Sequence, residues 1–150
     1  MPKENNRLLH TMMRVKNLEE SIKFYCGLLG MEVLRKKDYP GGKFTNCFIG
    51  FGNEDSHTVL ELTHNWGDTA ESVDYHNGNS EPKGFGHIGF HVPNADAACK
   101  RFESLGVPFQ KGLNDGSMKG IAFIKDPDGY WIEIFDADKV ADTCAPHLKK

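Results

Sequence analysis

The chain has 150 residues, 39% of them hydrophobic and 26% charged, with a formal net charge of −3. That length supports one domain with a real core. The charge balance excludes bulk affinity for nucleic acid or for an anionic membrane surface. No apolar run approaches the ~20 residues of a membrane helix, and the polar opening, Met1 to Arg7, has no signal-peptide core. Cys26, Cys47, Cys99 and Cys144 are scattered, with no Cys-x-x-Cys pair. This predicts reduced thiols in a cytoplasmic protein rather than a disulfide framework or a zinc knot.

Residues 8–15 read as a strand with His10, Met12 and Arg14 on one face. Asn17 can cap a helix, with Glu20 three residues on to close a capping box. Leu18, Ile22, Tyr25 and Leu29 give that helix an apolar stripe, and Gly30 suits its C-cap. Residues 31–35, 44–51 and 58–63 read as strands separated by Gly41-Gly42 and Gly52-Asn53-Glu54-Asp55. Residues 65–83 have no period and read as a loop, with room for one helical turn near 69–73. Then the order repeats. Residues 87–92 are a strand, Asn94 caps a helix with stripe Ala95, Ala98, Phe102 and Leu105, and Gly106 ends it. Strands are predicted at 107–110, 118–125 and 130–135. Asp126-Pro127-Asp128-Gly129 has proline and glycine where a type I turn prefers them. Residues 136–150 read as a frayed tail or short helix.

The repeat shows in individual letters. His10 is followed by Val15 and Asn17; His87 is followed by Val92 and Asn94. Each half closes on an acid among apolar residues: Val59-Leu60-Glu61-Leu62 and Trp131-Ile132-Glu133-Ile134. Taken alone, His87 reads as a hydrogen-bonded histidine at a sheet edge, and either glutamate as a surface residue. Two histidines and two glutamates at matching positions call for a shared explanation. In a strand-helix-three-strand unit the first and last strands can lie side by side, which brings His10 near Glu61 and His87 near Glu133. Two imidazoles and two carboxylates suit a divalent transition metal. Such a metal can act as a Lewis acid on an oxygen-bearing substrate.

Six stretches carry a resemblance that spans about residues 8–136. They are Leu-His-Thr-Met-Met-Arg-Val-Lys (9–16), Phe-Tyr-Cys-Gly-Leu-Leu-Gly-Met (24–31), Leu-Glu-Leu-Thr-His-Asn-Trp-Gly (60–67), Tyr-His-Asn-Gly-Asn (75–79), Gly-Phe-Gly-His-Ile-Gly (84–89) and Asp-Pro-Asp-Gly-Tyr-Trp-Ile-Glu (126–133). With these the sequence resembles glyoxalase I, the lactoylglutathione lyase of the vicinal-oxygen-chelate superfamily. The resemblance implies an α+β fold of two βαβββ repeats, about 8–66 and 84–136, paired into curved sheets of the glyoxalase/bleomycin-resistance/dioxygenase type within one domain of residues 1–150. It implies His10, Glu61, His87 and Glu133 as ligands of one divalent metal, with Glu133 and Glu61 as the catalytic carboxylates. Arg14, Asn65, Lys83, Lys111 and Met118 fall on its substrate-binding positions. Lys83 stands where many relatives carry arginine, which keeps charge but loses the bidentate fork. Ser117 departs from a lysine of close relatives, and Lys119 lies two residues on.

The implied reaction is isomerisation of the methylglyoxal–glutathione hemithioacetal to S-D-lactoylglutathione, in a homodimer whose sites draw ligands from both chains. A histidine at the first ligand position matches nickel-preferring relatives, while the 75–86 segment matches zinc-preferring ones. Zinc is the expectation, with nickel or cobalt as alternatives. His57 and His147 read as solvent-exposed, His64 and His76 as structural, and His91 as outside the ligand set. The cysteines read as packing residues. Two rivals remain, an extradiol dioxygenase with a two-His, one-carboxylate iron site and a metal-free binding module of the bleomycin-resistance type. The four-ligand count and the glutathione-side matches argue against the first, and the filling of all four ligand positions argues against the second.

Overall fold

A computed structural model describes residues 6–140. Cys144, His147 and the predicted tail beyond residue 140 lie outside the described residues. The chain divides into two compact units, Met1–Tyr75 and His76–Lys150, and the division falls inside the segment read as a loop.

In the first unit β1 (His10–Arg14) leads to α1 (Leu18–Ile22), then β2 (Glu32–Tyr39), β3 (Phe44–Gly50) and β4 (Val59–Asn65). The strands form one sheet in the order β1-β4-β3-β2. The first and last strands pair in parallel and the other neighbours antiparallel. The second unit repeats this with β5 (His87–His91), α2 (Ala95–Ser104), β6 (Phe109–Lys111), β7 (Ile121–Lys125) and β8 (Trp131–Phe135) in the order β5-β8-β7-β6. A final turn of helix, α3 (Ala137–Val140), follows. The α+β class and the two βαβββ units are therefore as predicted.

Local chemistry explains where the helices start and stop. The Asn17 side chain accepts from the N–H groups of Glu19 and Glu20, and Asn94 accepts from that of Ala97. Each cap satisfies donors that the first helical turn leaves unpaired, a contribution of about 1 kcal/mol. Gly30 and Gly106 end the two helical segments at φ +81° and +71°, a conformation an L side chain resists. Between Lys23 and Leu28 the first helix widens into a π-helix, and Leu29 N–H bonds the Phe24 carbonyl five residues back. A 3.6-residue stripe does not foresee that widening. Leu18 and Tyr25 of the expected stripe are buried, while Ile22 and Leu29 are partly exposed.

Along β8 exposure alternates: Ile132 and Ile134 are buried, while Trp131, Glu133 and Phe135 are partly exposed. Leu62 and Cys47 fill the equivalent core of the first unit. Burying each such aliphatic side chain is worth ~1.5–3 kcal/mol. In α2 the buried stripe is Ala95, Cys99 and Phe102. Leu105, predicted to join it, is 59% exposed, because its residue lies past the last helical turn. Among the described residues no helix is long and apolar enough to cross a membrane.

Candidate metal centre

Strand register places the predicted side chains. Parallel pairing sets His10 opposite Val59 and Met12 opposite Glu61, so His10 and Glu61 share a face two residues apart. His10 Nε2 lies 3.1 Å from Glu61 Oε2. In the second unit His87 pairs with Trp131 and Gly89 with Glu133, and His87 Nε2 lies 3.6 Å from Glu133 Oε2. The imidazoles are 41% and 42% exposed and the carboxylates 14% and 19%. The same half-open pair is thus built twice on the same register.

The first pair lies within ordinary hydrogen-bond distance and the second does not. Both separations fit another role: two ligands about 2.0–2.2 Å from one metal stand roughly 3.0–3.6 Å apart. Nitrogen and oxygen donors together suit zinc, nickel or cobalt. Among the described residues no three His, Cys, Asp or Glu side chains group closely enough to hold an ion. Each unit offers two donors and needs two more.

Aromatic rings orient both imidazoles, a feature sequence reasoning missed. His10 meets Phe48 edge to face at 5.5 Å and 88°; His87 meets Phe123 at 5.0 Å and 75°. Phe48 pairs with Glu61 across β3 and β4, and Phe123 pairs with Glu133 across β7 and β8. The rings are therefore equivalent by register, a signal visible only once strands are aligned. Behind Phe48 the Arg35 guanidinium stacks at 3.4 Å from the ring centroid. Glu54 holds that guanidinium through bonds of 2.6 and 3.1 Å, and this hydrogen bond keeps the Glu54 carboxyl below its usual range. Lys111 occupies the equivalent register against Phe123.

The first unit has a cleft of about 240 Å³ lined by Met12, Arg14, Phe44, Asn46, Glu61, Thr63 and Asn65. Three predicted site residues, Arg14, Glu61 and Asn65, therefore meet in one concavity. The Asn65 amide nitrogen donates to Asp68 at 3.1 Å and approaches the Tyr75 hydroxyl at 3.2 Å. The Tyr75 hydroxyl also donates to Asp68. That bond is the main reason the Asp68 carboxyl sits below its usual range.

The other predicted contacts are placed differently. The Lys83 ammonium is 74% exposed, with Glu81 at 3.6 Å. The Lys111 ammonium donates to the carbonyls of Gly112, Met118 and Ile121, so it pins the 112–120 loop. That loop explains why β7 begins at Ile121 rather than at 118. Met118 is 53% exposed. Lys119 donates to the Asn114 carbonyl.

The other histidines among the described residues have partners or positions of their own. His64 contacts the Val15 carbonyl at 3.2 Å. His76 accepts from Gly78 N–H, His91 from Ala137 N–H, and His57 is exposed. Burial pushes the Cys47 and Cys99 thiols up to about 11, as packing residues require.

The family model described as the Glyoxalase/Bleomycin resistance protein/Dioxygenase superfamily matches residues 7–134. The chain belongs to this superfamily. It is similar to the lactoylglutathione lyase of Schizosaccharomyces pombe, 51% identical over 88% of this chain and 45% of that protein. It is 48% identical to the lactoylglutathione lyase of Pseudomonas aeruginosa, over 85% of this chain and 81% of that one. It thus spans about half the length of the first relative and most of the second. Among solved structures, the trypanothione-dependent glyoxalase I of Leishmania major superposes with a TM-score of 0.80 at 38% identity, covering 96% of both chains.

Proposed function

We propose that the chain is a glyoxalase I, which isomerises the hemithioacetal of methylglyoxal and glutathione to S-D-lactoylglutathione. The observation that carries this reading is the duplicated His–Glu pair on identical register, in a chain about half identical to lactoylglutathione lyases. His10, Glu61, His87 and Glu133 together hold one divalent metal, zinc first, with nickel or cobalt as alternatives. Two copies of the chain form a homodimer, and one copy's His10–Glu61 meets the other's His87–Glu133. Each chain works as a single domain of residues 1–150. Arg14, Asn65, Lys83, Lys111 and Met118 border the glutathione moiety, with Arg14 facing a carboxylate. The free thiols of Cys26, Cys47 and Cys99 suit a cytoplasmic protein.

The chemistry follows from these roles. When bound, the metal supplies Lewis acidity that stabilises the negative charge building on the substrate oxygens. Glu133 removes the carbon-bound proton, holds it on its carboxylate, and returns it to the adjacent carbon. The hydroxyl proton of the hemithioacetal passes to the neighbouring oxygen in the same isomerisation, so bonds and electrons balance within the substrate and no redox partner is needed. The test is an absorbance assay for thioester formation on metal-replete protein, with metal content measured alongside. Thioester should appear only with bound divalent ion. Metal-replete protein that forms none would refute the assignment, and activity without bound ion would refute the metal's role.

A further inference from the structure

We propose that Asn46 is a positioning residue that fixes Glu61, making the carboxylate of the first unit the stationary member of the pair. This rests on the metal-site reading above. Asn46 Nδ2 lies 2.5 Å from Glu61 Oε1, while the other oxygen, Oε2, faces His10. On its far side Asn46 Oδ1 accepts from the Thr63 hydroxyl at 3.1 Å. The amide orientation follows from the chemistry: an ionised carboxylate only accepts, so the NH₂ must face Glu61. A Thr63–Asn46–Glu61–His10 chain results, with one Glu61 oxygen on the Asn46 amide and the other toward His10.

Register identifies what stands at the same place in the second unit. Asn46 pairs with Thr63; the equivalent pair is Ile121 with Phe135. Both are apolar, so no amide or hydroxyl reaches Glu133 from these positions. The first strand differs too. Met12 lies opposite Glu61, but Gly89 lies opposite Glu133. A Cβ on Gly89 would stand 3.1 Å from Glu133 Oε2, so glycine leaves that carboxylate its room. Among the described residues one carboxylate is clamped by an amide and the other is not, and only an unclamped one can leave a ligand position to carry a proton.

The test uses Asn46→Leu, with the same branching and no donor, and Asn46→Asp, which keeps the size and the acceptor for Thr63. Zinc affinity is measured by chelator competition, and cobalt-loaded protein is examined by its visible absorption bands. Loss of a partner that orients a metal ligand costs ~10–100-fold in metal affinity. Both variants should show that loss and altered cobalt bands, with Asn46→Asp at least as affected because it sets a second carboxylate against Glu61. Ile121→Val should leave affinity unchanged. If Asn46→Leu does not fold, Asn46→Asp makes the same comparison. Native affinity and cobalt bands in a folded variant, even with a lowered melting temperature, would overturn the positioning role alone. A native protein that binds neither ion would overturn the metal-site reading, and this inference with it.

Discussion

The two units share a skeleton but not an environment. Each pairs its first and last strands in parallel, sets a histidine beside a glutamate and leans a phenylalanine on the imidazole. Around Glu61 the neighbours are Asn46 and Thr63; around Glu133 they are Ile121, Phe135 and the bare backbone of Gly89. Duplicated geometry therefore supplies matched donors, and divergence of the surrounding residues gives them different freedom. A symmetric donor set can then divide its labour between holding and proton transfer.

Replacing the two glutamates separately breaks this comparison most directly. Glu133→Gln, assayed metal-replete, should lower turnover by ~10²-fold or more, as expected for loss of a general base. Glu61→Gln should cost less turnover and more metal affinity. Equal losses, or near-normal turnover by Glu133→Gln, would show that the clamp does not assign the roles. A smaller effect is expected from Gly89→Ala. The added methyl meets Glu133 Oε2 at 3.1 Å and Phe135 Cε1 at 3.4 Å, so the carboxylate must shift by tenths of an ångström. Misplacement by 1 Å can cost 10²-fold, so about 3- to 10-fold in kcat is expected, with KM nearly unchanged. Unaltered kcat would mean that the space beside Glu133 has no catalytic use.

The smallest effect concerns the Arg35–Glu54 pair behind Phe48. Its hydrogen bond lowers the Glu54 pKa below the ordinary value of 4.5. The contribution is thus present above about pH 4.5 and is lost as pH falls through the folded-state value. With side chains 47% and 33% exposed, a pair of this kind is worth about 0–1 kcal/mol. Glu54→Gln should melt slightly lower than the native chain at pH 7, and the gap should close on acidification. A gap that widens at low pH would contradict the sign.

Much of this was legible in the sequence because it depends on local chemistry. Asn17 and Asn94 announce helix starts, Asp126 to Gly129 a turn, and the spaced His and Glu letters the pairs. The turn forms as read, with Gly129 N–H bonded to the Asp126 carbonyl. What escaped depends on register or on long side chains reaching back. Asn46 is a polar residue beside Thr45 with no evident partner until β3 is laid against β4. The 112–120 loop is set by one lysine's donors, which no propensity records. The π-helical widening at Lys23–Leu28 escapes because its five-residue hydrogen bonds change the period, and an apolar stripe read at 3.6 residues per turn does not register that.

The parallel pairing of first and last strands also governs how such a chain comes to exist. His10 and Glu61 are 51 positions apart, and His87 and Glu133 are 46 apart. Each pair is closed by the longest loop in its unit, and long loops close late and slowly. During synthesis the first histidine of each unit must therefore wait, as part of an unpaired edge strand, until the closing strand has left the ribosome. An ion that needs both residues cannot template the early steps. The donors become neighbours only as the unit completes itself, so their proximity doubles as a record that the sheet has closed.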